Sequence, residues 1–187
     1  KPDTPIIAMI TRLVAHKGLD LVRAAIEELL ADDVQFVLLG TGDSEYESYF
    51  KDLANRYKGK AVSIIAFNGD LSRKIYSGAD IFLMPSKSEP CGLSQMIASR
   101  YLTVPVVRET GGLYDSIKPY GAGGNGFTFA AYNAGDMLYV LREAVSLYKN
   151  KPEWQKLMIK AGTTDFSWQR SAEEYKKLYT DTLALLK

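Results

Sequence analysis

The sequence predicts an α/β fold: a doubly wound, Rossmann-like parallel sheet followed by C-terminal helices. Three observations carry this expectation. Short β-branched or apolar runs alternate with helix-period segments, the runs are apolar throughout, and the links between them are short. The runs are Ile6 to Ile10, Val34 to Leu39, Val62 to Phe67, Ile81 to Met84, Val104 to Val107 and, more weakly, Gly126 to Ala130. Uniformly apolar strands are those covered on both faces, and strand–helix alternation with short links sets them parallel.

Each element has its own reason. After the first strand, Leu19, Val22, Ile26 and Leu29 share one helical face, and after the second so do Tyr46, Tyr49, Phe50, Leu53 and Tyr57. The small residues of Gly40-Thr41-Gly42-Asp43 either admit a ligand or make a tight turn, with Asp43 or Ser44 capping the helix. Leu71 to Ala79 and Leu93 to Leu102 read as two shorter helices flanking the fourth strand. Beyond Asn133 the chain turns helical, with Met137, Leu138, Leu141, Ala144, Val145 and Tyr148 in one stripe. Pro152 suits the first turn of a helix running to about Ala161. Asp165-Phe166-Ser167-Trp168 then interrupts, and a last helix runs to about Leu186. Four glycines between Tyr120 and Gly126 predict a flexible loop, a candidate lid.

Composition bounds the function. The 187 residues suffice for one well-packed domain. With 23 Lys plus Arg against 22 Asp plus Glu, the net charge is +1, which predicts neither a nucleic-acid nor a membrane surface. No apolar run is long enough to span a bilayer. Cys91 is the only cysteine, so no intrachain disulfide forms and a reducing compartment is expected. The start at Lys1-Pro2-Asp3, without Met, reads as a domain cut from something longer.

Ligands of doubly wound sheets sit beyond the carboxyl ends of the strands. There the chain places Thr11-Arg12-Leu13-Val14-Ala15-His16-Lys17-Gly18, with two cations five residues apart before a helix, a natural clamp for a diphosphate. The alternative is that both are surface charges or that one pairs with an acid. After the fourth strand come Glu89 and a Pro90-Cys91-Gly92 turn, then a helical stretch. An acid suits sugar hydroxyls, and the amides of Gly92 to Gln95 suit anionic oxygens. Phe67 either stacks on a purine or closes the core. After the fifth strand, Arg108-Glu109-Thr110-Gly111-Gly112-Leu113 either brings backbone close to a phosphate or makes a simple turn before a short helix. His16 is the only histidine and reads as a solvent-facing loop residue; Cys91 therefore has no base partner and is not read as a nucleophile. No His/Cys cluster suggests a metal.

Together, Thr11-Arg12-Leu13…Lys17-Gly18-Leu19-Asp20-Leu21, Gly78-Ala79-Asp80…Pro85-Ser86…Glu89-Pro90-Cys91-Gly92-Leu93, Arg108 to Leu113 and Asp165 to Trp168 resemble bacterial glycogen synthase and plant starch synthase. These are retaining GT-B glycosyltransferases with two Rossmann-like domains, and the chain resembles the C-terminal, donor-binding half. The resemblance implies ADP-glucose as donor (UDP-glucose less so), an α-1,4-glucan acceptor held by the N-terminal domain, no metal or other cofactor, and a bacterial cytoplasm or a plastid. By motif, Arg12 and Lys17 would neutralise the diphosphate and Glu89 would face the donor glucose. Gly18, Cys91, Gly92, Leu93 and Ser94 would bind donor, Phe67 would lie against adenine, and Thr110, Gly111 and Gly112 would sit near the distal phosphate. Broader GT-B relatives often carry a second Glu eight residues after the first; here that position is Ile97, which favours the synthase branch.

The resemblance also implies a division at 168, with residues 169–187 crossing to the absent domain. Tyr175, Leu178, Tyr179, Thr182 and Leu186 form the stripe expected to self-associate, fold back or move in its absence. Competing readings are a non-catalytic nucleotide-sugar-binding module, another GT-B donor domain, and a dehydrogenase. The last is disfavoured because no Gly-x-Gly-x-x-Gly follows the first strand.

Overall fold

The computed structural model describes residues 3–185. In chain order, its first half runs β1 (Ile6–Ile10), α1 (Leu19–Ala31), β2 (Gln35–Gly40), α2 (Ser44–Arg56), β3 (Ala61–Ile65) and α3 (Gly69–Gly78). The second half runs β4 (Ile81–Met84), α4 (Ser94–Arg100), β5 (Val104–Arg108), α5 (Gly111–Ser116), β6 (Phe127–Phe129), α6 (Ala134–Lys149), α7 (Lys151–Thr163) and α8 (Trp168–Ala184). The six strands form one parallel sheet in the order β3-β2-β1-β4-β5-β6. The chain winds outward from β1 to β3, then returns to lay β4 on the other side of β1. The adjacent strands β1 and β4 are thus the topological switch point, and the loops after them flank a crevice.

The apolar strands are explained by the two layers. Along β1, Ile7 and Met9 face a core built with α1, α2 and α6, while Ala8 faces α3 and α4. Both faces are buried, so alternation disappears from the sequence. Ile75, Tyr76 and Ala98 cover the second face, and Leu113 of α5 with Ile117 just after it continues it over Val107. Each fully buried aliphatic side chain contributes about 1.5–3 kcal/mol. Helix α7 touches α6 on one face and α4 on the other, anchored by Trp154 edge-on to Tyr148.

Local chemistry sets the helix ends. The side chains of Asn68, Asn133 and Ser167 accept bonds from the amides of Leu71, Asp136 and Arg170, capping α3, α6 and α8. At α2 the cap position is Asp43, but its side chain makes no capping bond; Glu47 reaches back to accept from the Gly42 amide at 3.0 Å. Pro152 sits at the start of α7, as its missing donor requires.

Two elements depart from the sequence expectation, and a third follows it. Strand β3 is an edge strand paired only with β2, and its ladder ends at Gly40↔Ile65, so Phe67 lies beyond it. The glycine-rich loop is internally bonded: Tyr120 N donates to Gly126 O at 2.8 Å, and buried Asn125 ties Lys118 N, Ser116 O and Thr164 Oγ1 together. Helix α8 buries no residue and leaves Tyr175, Leu178 and Tyr179 exposed, as the lone-domain stripe requires; Leu186, the expected end of that stripe, lies outside the described residues. Among the described residues no helix is long and apolar enough to cross a membrane.

Candidate functional site at the switch point

The loops after β1 and β4 are pressed together by one glycine. Gly18, the hinge between a 3-10 turn (Ala15–Lys17) and α1, has φ +75°, and a Cβ there would overlap Pro85 O. Only glycine tolerates both. Beside it, Lys87 N donates to His16 O at 2.9 Å, while the imidazole itself stays exposed.

Between the two loops lies a cavity of about 310 Å³. Thr11, Arg12 and Lys17 line it from the first loop, and Ser86, Glu89, Gly92, Leu93 and Ser94 from the second. The floor is Met9, Ile10, Leu83 and Met84, the carboxyl ends of β1 and β4.

Two of its charges pair with each other. Lys17 Nζ donates to Glu89 Oε2 at 2.6 Å, and Ser86 Oγ donates to the same oxygen at 3.2 Å. The side chains of Lys17 and Glu89 are only 16% and 10% exposed, so the pair is largely withdrawn from water. Arg12 is exposed at the rim, and its guanidinium bonds to no side chain among the described residues. The amides of Gly92 and Leu93 likewise find no acceptor among the described residues. The site therefore presents a free cation, a cation–acid pair and unpaired backbone donors around one space.

The remaining expected site residues fall outside the lining. Gly18 is buried under Pro85. The Thr110–Gly112 turn backs the acid: Gly112 N donates to Glu89 O at 3.0 Å, and a Cβ on Gly111 or Gly112 would overlap Glu89 O or Cys91 O. Cys91 is exposed beside the cavity. Phe67 is 97% exposed, so it does not close the core. The glycines of the Gly40–Gly42 turn are explained by backbone approach: a Cβ on either would overlap Thr11 O or Leu13 O, which supports the tight-turn reading.

Sequence reasoning gave no role to two braces. Buried Ser86 reads as a strand-end serine until its bond to Glu89 is seen. Arg108 donates to Ser86 O and Lys87 O at 3.3 and 3.0 Å and lies over the Tyr132 ring, bracing the second loop from behind. Burial, with a hydrogen bond to Asp20, pushes the Tyr132 phenol up. Among the described residues no group of three or more His, Cys, Asp or Glu is placed to hold a metal.

The family described as glycosyl transferases group 1 matches residues 1–165. The chain belongs to the group 1 glycosyl transferases. This transferase chain is 52% identical over 182 residues to a glycogen synthase of Bacillus cereus (strain Q1), covering 96% of the chain and 38% of that protein. A glycogen synthase of Kosmotoga olearia is 52% identical over 184 residues, covering 97% and 39%. The transferase chain thus spans well under half the length of these curated relatives. Its fold superposes with a TM-score of 0.88 and 36% identity on the catalytic domain of starch synthase IV from Arabidopsis thaliana bound to ADP and acarbose, covering 98% of the chain and 39% of that structure. The parallel sheet and its helices are those of a GT-B glycosyltransferase domain.

Proposed function

We propose that the chain is the donor-binding half of an α-glucan synthase, which takes ADP-glucose and transfers glucose with retention to the non-reducing end of an α-1,4-glucan. The carrying observation is that Arg12, Lys17, Glu89 and the Gly92–Ser94 turn surround one cavity at the switch point. The ADP-bound starch synthase IV and the glycogen synthase relatives support the choice of base and sugar.

In this reading Arg12 and Lys17 meet the diphosphate. Negative charge grows there as the glycosidic bond breaks, so cations at that point lower the barrier rather than merely tighten binding. Binding exchanges partners: Lys17 turns from Glu89 to phosphate, and Glu89 turns to the glucose hydroxyls and the oxocarbenium-like centre. Gly92, Leu93 and Ser94 offer amides, while Gly18, Cys91, Thr110, Gly111 and Gly112 shape the turns that present them. Phe67, free at the end of β3, meets adenine. Two cations supply the charge that a metal supplies elsewhere, so no metal or cofactor is needed. The segment after Trp168 is a separate unit that crosses to an N-terminal domain, which also holds the acceptor; the stripe on α8 packs there, and without that domain the chain self-associates and transfers no glucose at a useful rate. The working compartment is a bacterial cytoplasm or a plastid.

Calorimetric titration with ADP, UDP and AMP tests the reading. ADP should bind selectively, bind as well in the presence of a chelator, and bind about tenfold or more weakly to Lys17→Ala. Equal affinity for all three nucleotides would leave the diphosphate site without support. In a full-length enzyme, Glu89→Gln should lower turnover far more than nucleotide affinity. A monodisperse monomer in sedimentation would remove the self-association.

A further inference from the structure

Gln95 is buried in α4, with no exposed surface, at the base of the Cys91–Leu93 turn. Its Nε2 donates to Gly92 O at 2.8 Å, Cys91 O at 3.3 Å and Ser116 Oγ at 3.0 Å. The carbonyl oxygens accept only, which fixes the amide nitrogen towards them. Its Oε1 is buried and has no partner. That orphan acceptor is a standing cost to the fold, of a kind that ordinary packing removes. Apolar α4 neighbours such as Ala98 show that an apolar residue suits this layer. The side chain thus combines three donated bonds with one acceptor that no described group meets.

We infer that Gln95 is a positioning residue that aims the Gly92 and Leu93 amides into the cavity. Among the described residues no peptide bond is cis. In a trans peptide the C=O and N–H point in opposite directions. Pulling Cys91 O and Gly92 O down onto Nε2 therefore turns the amides of Gly92 and Leu93 the other way, to the side on which both residues line the cavity. Neither amide has an acceptor among the described residues, as expected of donors held ready for an anion. Gly92 takes φ +73°, and a Cβ there would lie 2.6 Å from Gln95 Oε1, so the glycine and the glutamine are mutually fitted.

The device extends to the next loop. Ser116 Oγ accepts from Gln95 and donates to Gly112 O at 2.6 Å, while Gly112 N donates to Glu89 O. One side chain thus sets the turn that carries the amides and, through Ser116, the turn that backs the acid. The inference rests on the diphosphate reading above and names what orients its uncharged donors.

The test compares Gln95→Met, of similar volume but without donor or orphan acceptor, with the wild-type chain. ADP affinity should fall about tenfold or more, because bonds to a charged phosphate are lost, while the denaturation midpoint holds or rises. AMP affinity should change less, since it lacks the distal phosphate. Ser116→Ala, which keeps both carbonyl bonds, should show a smaller loss in the same direction. Unchanged ADP affinity in Gln95→Met, or equal losses for ADP and AMP accompanied by a lower midpoint, overturns the inference and leaves Gln95 a packing residue. If the wild type binds no ADP, the donor-site reading fails first.

Discussion

Lys17–Glu89 and Arg56–Glu27 are both cation–carboxylate pairs, at 2.6 and 2.9 Å, in the same domain. The first joins loops from two adjacent strands and is 16% and 10% exposed; the second links α1 to α2 and is 40% and 46% exposed. Arg56 also bonds Asp52, and Glu27 also accepts from Tyr57, so the surface pair has the richer set of partners. Bond count therefore does not rank them. Water screens the surface pair, while the crevice pair sits between low-dielectric walls where removing either member strands the other. A helix-surface pair is stabilised by its surroundings whether or not it forms; the crevice pair depends on the backbone that delivers it.

The largest effect should come from breaking that delivery. Gly18→Ala forces a Cβ onto Pro85 O at a positive φ and should cost about 3 kcal/mol or more in equilibrium denaturation. An unchanged midpoint would mean that the two loops are not held by this contact. Next comes the pair itself. Glu89→Ala leaves the Lys17 ammonium with no acid and should destabilise by about 1–3 kcal/mol, with coupling to Lys17 in a double-mutant cycle that survives high salt. A coupling that vanishes in salt would place this pair with the surface ones.

The smallest effect is expected at the surface. Arg56→Gln should leave the denaturation midpoint unchanged at neutral pH and high salt. A faint pH signature should remain at low salt. The bonds from Arg56 and Tyr57 hold the Glu27 carboxyl below its ordinary value of 4.5. Because the folded value is the lower one, any stabilisation is present above that pH and fades as acid protonates the folded form. The difference between wild type and Arg56→Gln should therefore narrow, not widen, on acidification. Widening would show that another acid dominates.

Much of this was legible in the chain. Apolar runs and helix stripes locate all six strands, and the site loops follow from where those strands end. The apolar pattern runs the third strand on to Phe67, whereas the ladder stops where β2 stops. The two cations and Glu89 are visible as candidates, but which would touch is not: Lys17 and Glu89 are 72 residues apart and meet only because β4 inserts beside β1. Gly18 is read as a ligand-side glycine from sequence, yet Pro85 O explains its missing side chain. The side chain of Gln95 shows no role in the sequence beyond its place in register with Ala98 and Ser99 on the covered face of α4. The loop at Tyr120 to Gly126 reads as mobile from its glycines alone, because the belt supplied by Asn125 is a single residue among them.

The crevice pair sets two of the site's charges against each other and leaves Arg12 as the cation with no side-chain partner among the described residues. A lone inorganic anion that wins the ammonium of Lys17 abandons the carboxylate of Glu89 to a single serine hydroxyl, so the swap returns little. A molecule carrying both an anionic end and a hydroxyl-rich end at the right separation compensates both halves at once. On the donor reading proposed above, the pair would favour the conjugate that bears the two chemistries together over an anion that meets Lys17 alone.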